Sequence, residues 1–296
     1  MRVDFHTHIF SSKVKNNRRK YIAKDVAFEK LYSKEDAKII TAEELISIMD
    51  QKRINCSVVM GIGWHSLDAA KESNDYIIEA CRKFKGRLIG LGSVNPILGE
   101  DAIKELNRCL DNGLIGMGEL HPDLQQFQLD DFNIMKDFME QLDHKNRLLV
   151  THSSEPVGHL YAGKGCTTPD KTWNFINMFP NSNVIFAHWG GGLPFYAMMP
   201  EVCKGISNFY FDTAASPYLY DKSIFKFVCE LIGSNRILFG SDYPVISQTK
   251  IINQIIDSNI PSESKEKILS INAIELLAKL KVVKRKDIFK FNDKGR

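Results

Sequence analysis

Seven residues of this chain bind cations or move protons by type, and they recur at comparable places: His6, His8, Glu119, His121, His152, His188 and Asp242. They lie at the ends of short, mostly apolar runs: VDFHTH, GMGELH, LLVTH, VIFAH and ILFGSD. His6 and His8 stand at i and i+2, so on an extended strand their imidazoles share one face and can hold one cation. Histidine nitrogens with two carboxylates suit a borderline divalent metal: Zn2+ first, as one or two ions, with Mn2+, Fe2+ or Co2+ also fitting. Such a metal brings the pKa of a bound water towards neutrality, and Asp242 beside it can accept the proton as hydroxide attacks a carbonyl carbon. That is hydrolysis without a side-chain nucleophile, in keeping with the lack of a GxSxG motif.

Residues this far apart in sequence meet only if the runs that carry them end at one place. Short β-rich runs at 3–8, 56–61, 87–94, 116–120, 148–152, 184–188, 208–212 and 237–241 alternate with stretches of helical period, the rhythm of repeated βα units. VVMG, LIGLGSV, LLVT, VIFA and ILFG are almost continuously apolar, as strands buried on both faces must be. Helices are predicted over 41–52, 74–84, 101–112, 132–145, 168–179, 194–203, 221–232, 249–259 and 262–279. The first opens with Thr41 and Glu44 at capping-box spacing. The fold predicted is α/β, a single (β/α)8 TIM barrel over 1–282 with a basic C-terminal extension over 283–296. Two segments break the rhythm, 10–40 and 155–167, and long βα loops of a barrel shape its active site.

The DFHTH opening, the histidines closing the fifth and sixth runs and the GSDYP segment resemble the amidohydrolase superfamily over nearly the whole chain. AHWGGG, FGSDYP and the succession SVVMGIG then LGSVNP are most similar to its amidohydrolase-2 branch, which includes aminocarboxymuconate-semialdehyde decarboxylase. The resemblance implies metal ligands at His6, His8, His152 and Asp242, with His188 either ligating a second metal or acting on substrate as a base. Glu119 departs from the mononuclear decarboxylase pattern. It stands where binuclear relatives carry a bridging carboxylate, which implies a second ion; the plainer alternative is a carboxylate that pairs with a cation or orients a histidine.

The expected activity is a metal-dependent hydrolase acting on an amide, ester or lactone of a small polar substrate, with Asp242 as general base and His188 as a second catalytic group. The alternatives on the same scaffold are a non-oxidative decarboxylase or hydratase of a small carboxylate, and a phosphoesterase. A decarboxylase calls for a cationic clamp on its substrate, and the candidates are Arg18, Arg19 and Lys164, all in long loops.

Four further residues are expected at the substrate. His121 lies two residues beyond Glu119, though Pro122 already turns the chain; His65 follows the second strand; His159 sits in the long fifth loop; Trp189 adjoins the glycine run 190–192, which allows close backbone approach. Asp4 shares the alternation of His6 and His8, and is expected as a buried acceptor behind them or on the surface at the barrel bottom.

The net charge is only +3, and the basic clusters at 13–24 and 279–296 lack interleaved aromatics, so nothing supports a nucleic-acid partner. No run approaches the roughly 18 apolar residues of a membrane span. Six scattered cysteines without a CxxC pair read as reduced core thiols, and the N-terminus runs directly into a strand, so a cytoplasmic location is expected. The partner expected is a small molecule, with a homodimer as the default assembly.

Overall fold

The computed structural model describes residues 1–281. The expected basic extension at 283–296 lies outside the described residues. Eight strands run β1 (Val3–His8), β2 (Cys56–Met60), β3 (Leu88–Gly90), β4 (Gly116–Leu120), β5 (Leu148–Thr151), β6 (Asn183–Phe186), β7 (Tyr210–Asp212) and β8 (Ile237–Leu238). They pair parallel in chain order, β1 to β3 and β4 to β8. Backbone hydrogen bonds close both seams: Ile115 N donates to Gly90 O at 2.9 Å and Gly92 N to Gly116 O at 3.0 Å, while Phe5 N donates to Phe239 O at 2.7 Å. The result is a (β/α)8 barrel, whose closure leaves no free sheet edge among the described residues.

Both faces of each strand are buried, and alternate residues sort to opposite sides. Val58, Met60, Leu148, Val150, Ile185 and Leu238 join Leu276 and Leu277 of helix Asn272–Lys279 in one cluster. Val59, Leu149, Val184, Phe186, Ile237 and Phe239 pack with the flanking helices in the other. Asn146 and Arg147, which lead into β5, donate to the carbonyls of Lys279 and Leu280. That helix is thereby held at the barrel end where strands begin, leaving the opposite mouth open.

The strands are shorter than the apolar runs suggest: β5, β6 and β8 stop at Thr151, Phe186 and Leu238, so His152, His188 and Asp242 lie just beyond them. Pro200 divides the 194–203 segment into a 3-10 turn, Leu193–Met198, and a short helix, Pro200–Gly205. A π turn, Lys267–Ile271, interrupts 262–279. The capping box at Thr41 and Glu44 is present.

The 10–40 segment is built, not loose. It folds into short helices Ser12–Asn16, Arg18–Ile22 and Val26–Tyr32, and Asp25 caps the last by accepting from Ala27 N and Phe28 N. Phe28 stacks between Tyr32 and Trp64, with centroid separations of 4.8 and 5.4 Å. Arg18 donates to the carbonyls of Lys34, Glu35 and Ala37, pinning the chain that follows Tyr32. All six cysteines are free, but Cys166 and Cys203 are exposed, so the core does not hold every thiol. No helix of the described residues is long and apolar enough to cross a membrane.

Candidate metal centre

The pairing of β1 on β2 slips between Asp4 and Thr7. Phe5 belongs to the cluster inside the barrel, yet His6 and His8 both reach the mouth; the slip reconciles the two placements. Asp4 does not follow the histidines. It is a buried acceptor from Ser241 N at 2.9 Å, Ser241 Oγ at 2.6 Å and Gln248 Nε2 at 2.8 Å, fixing the residue that precedes Asp242, and burial pushes its carboxyl up to about 6.

Fixed acceptors orient three imidazoles. His6 Nδ1 donates to Asp212 Oδ2 at 2.8 Å, His8 Nδ1 to Gly61 O at 3.1 Å and His188 Nδ1 to Ala214 O at 3.1 Å. A carbonyl only accepts, so the hydrogen sits on Nδ1 of His8 and His188, and a neutral ring then presents a lone pair at Nε2. Those lone pairs face other acceptors. His6 Nε2 and His8 Nε2 are 3.2 Å apart; Asp242 Oδ1 lies 3.3 Å from His8 Nε2 and 3.9 Å from His6 Nε2.

Glu119 stands between two histidine pairs. Its Oε2 is 3.6 Å from His6 Nε2 and 3.7 Å from His8 Nε2, and its Oε1 is 3.1 Å from His152 Nδ1 and 3.4 Å from His188 Nε2. Two buried donor groups result, His6–His8–Glu119 and Glu119–His152–His188, each with its ligand atoms within 4.8 Å of one another. Acceptors pressed together in a buried pocket repel unless a proton or a cation lies among them. Imidazole nitrogens and carboxylate oxygens are the donors a divalent cation takes, so these residues fit one.

The electrostatics agree. Burial disfavours the charged form of His6, but the Asp212 and Glu119 carboxylates overcome it and hold its pKa well above the usual histidine range. Burial opposes ionisation of Glu119, and the facing His6, His152 and His188 nevertheless hold its carboxyl well below the ordinary range. Asp242 is also lowered against burial, by His8, His6 and His188. For His188 burial works downwards and Glu119 upwards, leaving it at about 9.

The turns that deliver these groups are unusual. His188 and Asp242 take φ of +55° and +64°, a region that non-glycine residues rarely occupy and that clusters at functional sites. Asp212 Oδ1 supports the first turn by accepting from His188 N at 3.0 Å. Gly191 must be glycine, since a Cβ there would lie 2.3 Å from Ser154 O.

Above the cluster opens a cavity of 510 Å³ lined by His8, Glu119, His121, His152, His188 and Asp242, with Tyr32, Tyr161 and Tyr218 among its walls. His121 stacks on His152 at 3.9 Å and reaches Gly163 O with Nε2 at 2.9 Å; burial, then the neighbouring His152, lowers its pKa to about 3. His159 also lines the cavity.

His65 and Trp189 do not line it. The left-handed turn at 188–189 carries the indole inward, where its N–H donates to Ser216 Oγ at 3.0 Å and its ring meets Phe225. The expected cationic clamps are elsewhere too: Arg18 is occupied by loop carbonyls, Lys164 donates to Val157 O and His159 O, and Arg19 is not a lining residue. Lys34 and Lys38 are the cations on the wall. Sequence reasoning missed Asp212, although an acidic residue closing the apolar run FYFD was a usable signal. It also missed Tyr32, whose position depends on packing within the insertion.

The family model described as amidohydrolase (Amidohydro_2) matches residues 3–279. The chain belongs to the amidohydrolase-2 family. It is 25% identical over 334 residues to 2-amino-3-carboxymuconate-6-semialdehyde decarboxylase of Dictyostelium discoideum, covering 94% of this chain and 91% of that protein. Among solved structures, 5-carboxyvanillate decarboxylase from Sphingomonas paucimobilis superposes with a TM-score of 0.76 at 15% identity, over 94% of this chain and 98% of that one. The 5-carboxyvanillate decarboxylase of Novosphingobium aromaticivorans, solved with bound manganese, gives 0.74 at 17% identity, over 94% and 97%. The chain is thus an enzyme of the amidohydrolase superfamily with the donor set of a divalent-metal site.

Proposed function

We propose that this protein is a metal-dependent decarboxylase of a small unsaturated or aromatic carboxylate, ahead of the carbonyl hydrolysis that the donor set first suggests. The observation that carries this reading is the buried cluster of His6, His8, Glu119 and Asp242 beneath a cavity of about 510 Å³, in a chain that matches a decarboxylase along nearly its whole length. Those four residues would hold Mn2+ or Zn2+, with His152 next to them. A divalent cation there supplies positive charge that holds the substrate's oxygens and draws electron density from the bond to the departing carboxylate.

The protein's own groups do the rest. Asp212 and the Gly61 carbonyl keep His6 and His8 aimed. When CO2 leaves, its bonding pair stays on carbon, and that carbon takes up one proton. His188, with Nδ1 committed to Ala214 O and Nε2 turned to the cluster 3.4 Å from Glu119 Oε1, is the group placed to deliver it, recharged from solvent.

The test is CO2 release from 2-amino-3-carboxymuconate 6-semialdehyde and from 5-carboxyvanillate by protein loaded with Mn2+ or Zn2+. Release that stops with a chelator is expected. No release from either, with turnover of lactones, amides or phosphoesters instead, would overturn the proposal.

A second reading has its own support. The two oxygens of Glu119 face separate histidine pairs, which favours two bridged ions and hydrolysis with Asp242 as base. Two metal equivalents per chain, falling to one in Glu119→Ala, would select it; one equivalent in the wild type selects the decarboxylase.

A further inference from the structure

We infer that Tyr32 is a substrate-binding residue, whose hydroxyl donates to a second oxygen acceptor of the substrate, away from the carboxylate over the metal-binding cluster. This rests on the decarboxylase reading and adds a substrate class to it: planar molecules with a further carboxylate or carbonyl group. Tyr32 comes from the insertion after β1, not from a barrel strand. Its ring is fixed by a stack on Phe28 at 4.8 Å and an edge contact with Phe10 at 5.1 Å, so it has little freedom to swing. Only 5% of the residue is exposed, yet it lines the cavity. Its hydroxyl has no hydrogen-bond partner among the described residues, unlike Tyr161, which donates to Glu155, and Tyr21, which donates to Glu72.

The Tyr32 hydroxyl is not fully enclosed by protein and the residue lines the cavity, so a molecule bound there can accept from it. Burial, reinforced by Asp242 and Glu119, keeps this phenol protonated, so it offers a donor and can pair with an oxygen acceptor on substrate. Arg18 holds the segment beyond Tyr32 by three backbone carbonyls, which makes this wall a preformed surface. Phenylalanine can occupy the same stack without the hydroxyl.

The experiment is calorimetric titration of Mn2+-loaded wild type and Tyr32→Phe with benzoate and with isophthalate, which carries a second carboxylate. Isophthalate affinity should fall about tenfold in the variant, the loss of one hydrogen bond to a charged group, while benzoate affinity changes less than about twofold. Unchanged isophthalate affinity, or an equal loss for both probes, overturns the role of Tyr32 and leaves the decarboxylase reading intact. If the wild type binds neither probe, both fall together.

Discussion

Asp212 accepts a hydrogen bond from Nδ1 of His6 at 2.8 Å, and both residues are fully buried. The other carboxylate oxygen accepts from His188 N and Ala214 N, so one side chain sets an imidazole and the turn that carries a second. An asparagine there can keep the backbone bonds but presents an amide donor to Nδ1, which favours the wrong tautomer of His6. Asp212→Asn should weaken metal binding about 10- to 100-fold with little change in fold. Competition with a chromogenic chelator measures it; wild-type affinity in the variant would remove Asp212 from the metal site.

On the decarboxylase reading, His188 donates a proton and does not ligate the metal. With His188 as proton donor, His188→Gln should retain the wild-type metal content and lose about 100-fold or more in kcat for CO2 release. Metal analysis alongside steady-state rates reads both. Loss of a metal equivalent from the variant would make His188 a ligand and favour the bridged pair of ions.

His121 should make the metal-free protein sensitive to mild acid. Its folded-state pKa lies near 3, against about 6.5 for an unfolded histidine, so between those values the unfolded chain binds more protons. The stability tied to the neutral ring is present above pH 6.5 and is lost as pH falls towards 3, at up to about 1.4 kcal/mol per pH unit. Urea unfolding at pH 7 and pH 5 should show a smaller drop for His121→Asn than for wild type. Equal drops would mean that His121 titrates normally in the fold.

Arg18 does not line the cavity but holds the backbone of its wall. Arg18→Met should loosen the wall at 34–37 and raise KM about fivefold, while kcat shifts less than about twofold and metal content stays constant. Steady-state kinetics on the metal-loaded enzyme decide it. A matched fall in kcat with unchanged KM would place the effect on the chemical step.

The sequence by itself determined the barrel and most of its mouth. Eight apolar runs alternating with helical periods admit few other closures, and parallel strands in a barrel bring their carboxyl ends together, so His6, His8, Glu119, His152, His188 and Asp242 had to meet. Tertiary structure decided how they meet. The slip in β1 that brings His6 and His8 to the mouth, and the left-handed φ of His188 and Asp242, are local departures from period that no pattern of apolar residues encodes. The left-handed turn at 188–189 also carries Trp189 inward, against its expected place at the substrate. Asp212 finds His6 across 206 residues of sequence, and Tyr32 reaches the cavity by stacking within the insertion. Periodicity reports which face of an element is buried; the hydrogen-bond partner of a buried group is settled only when distant elements pack together.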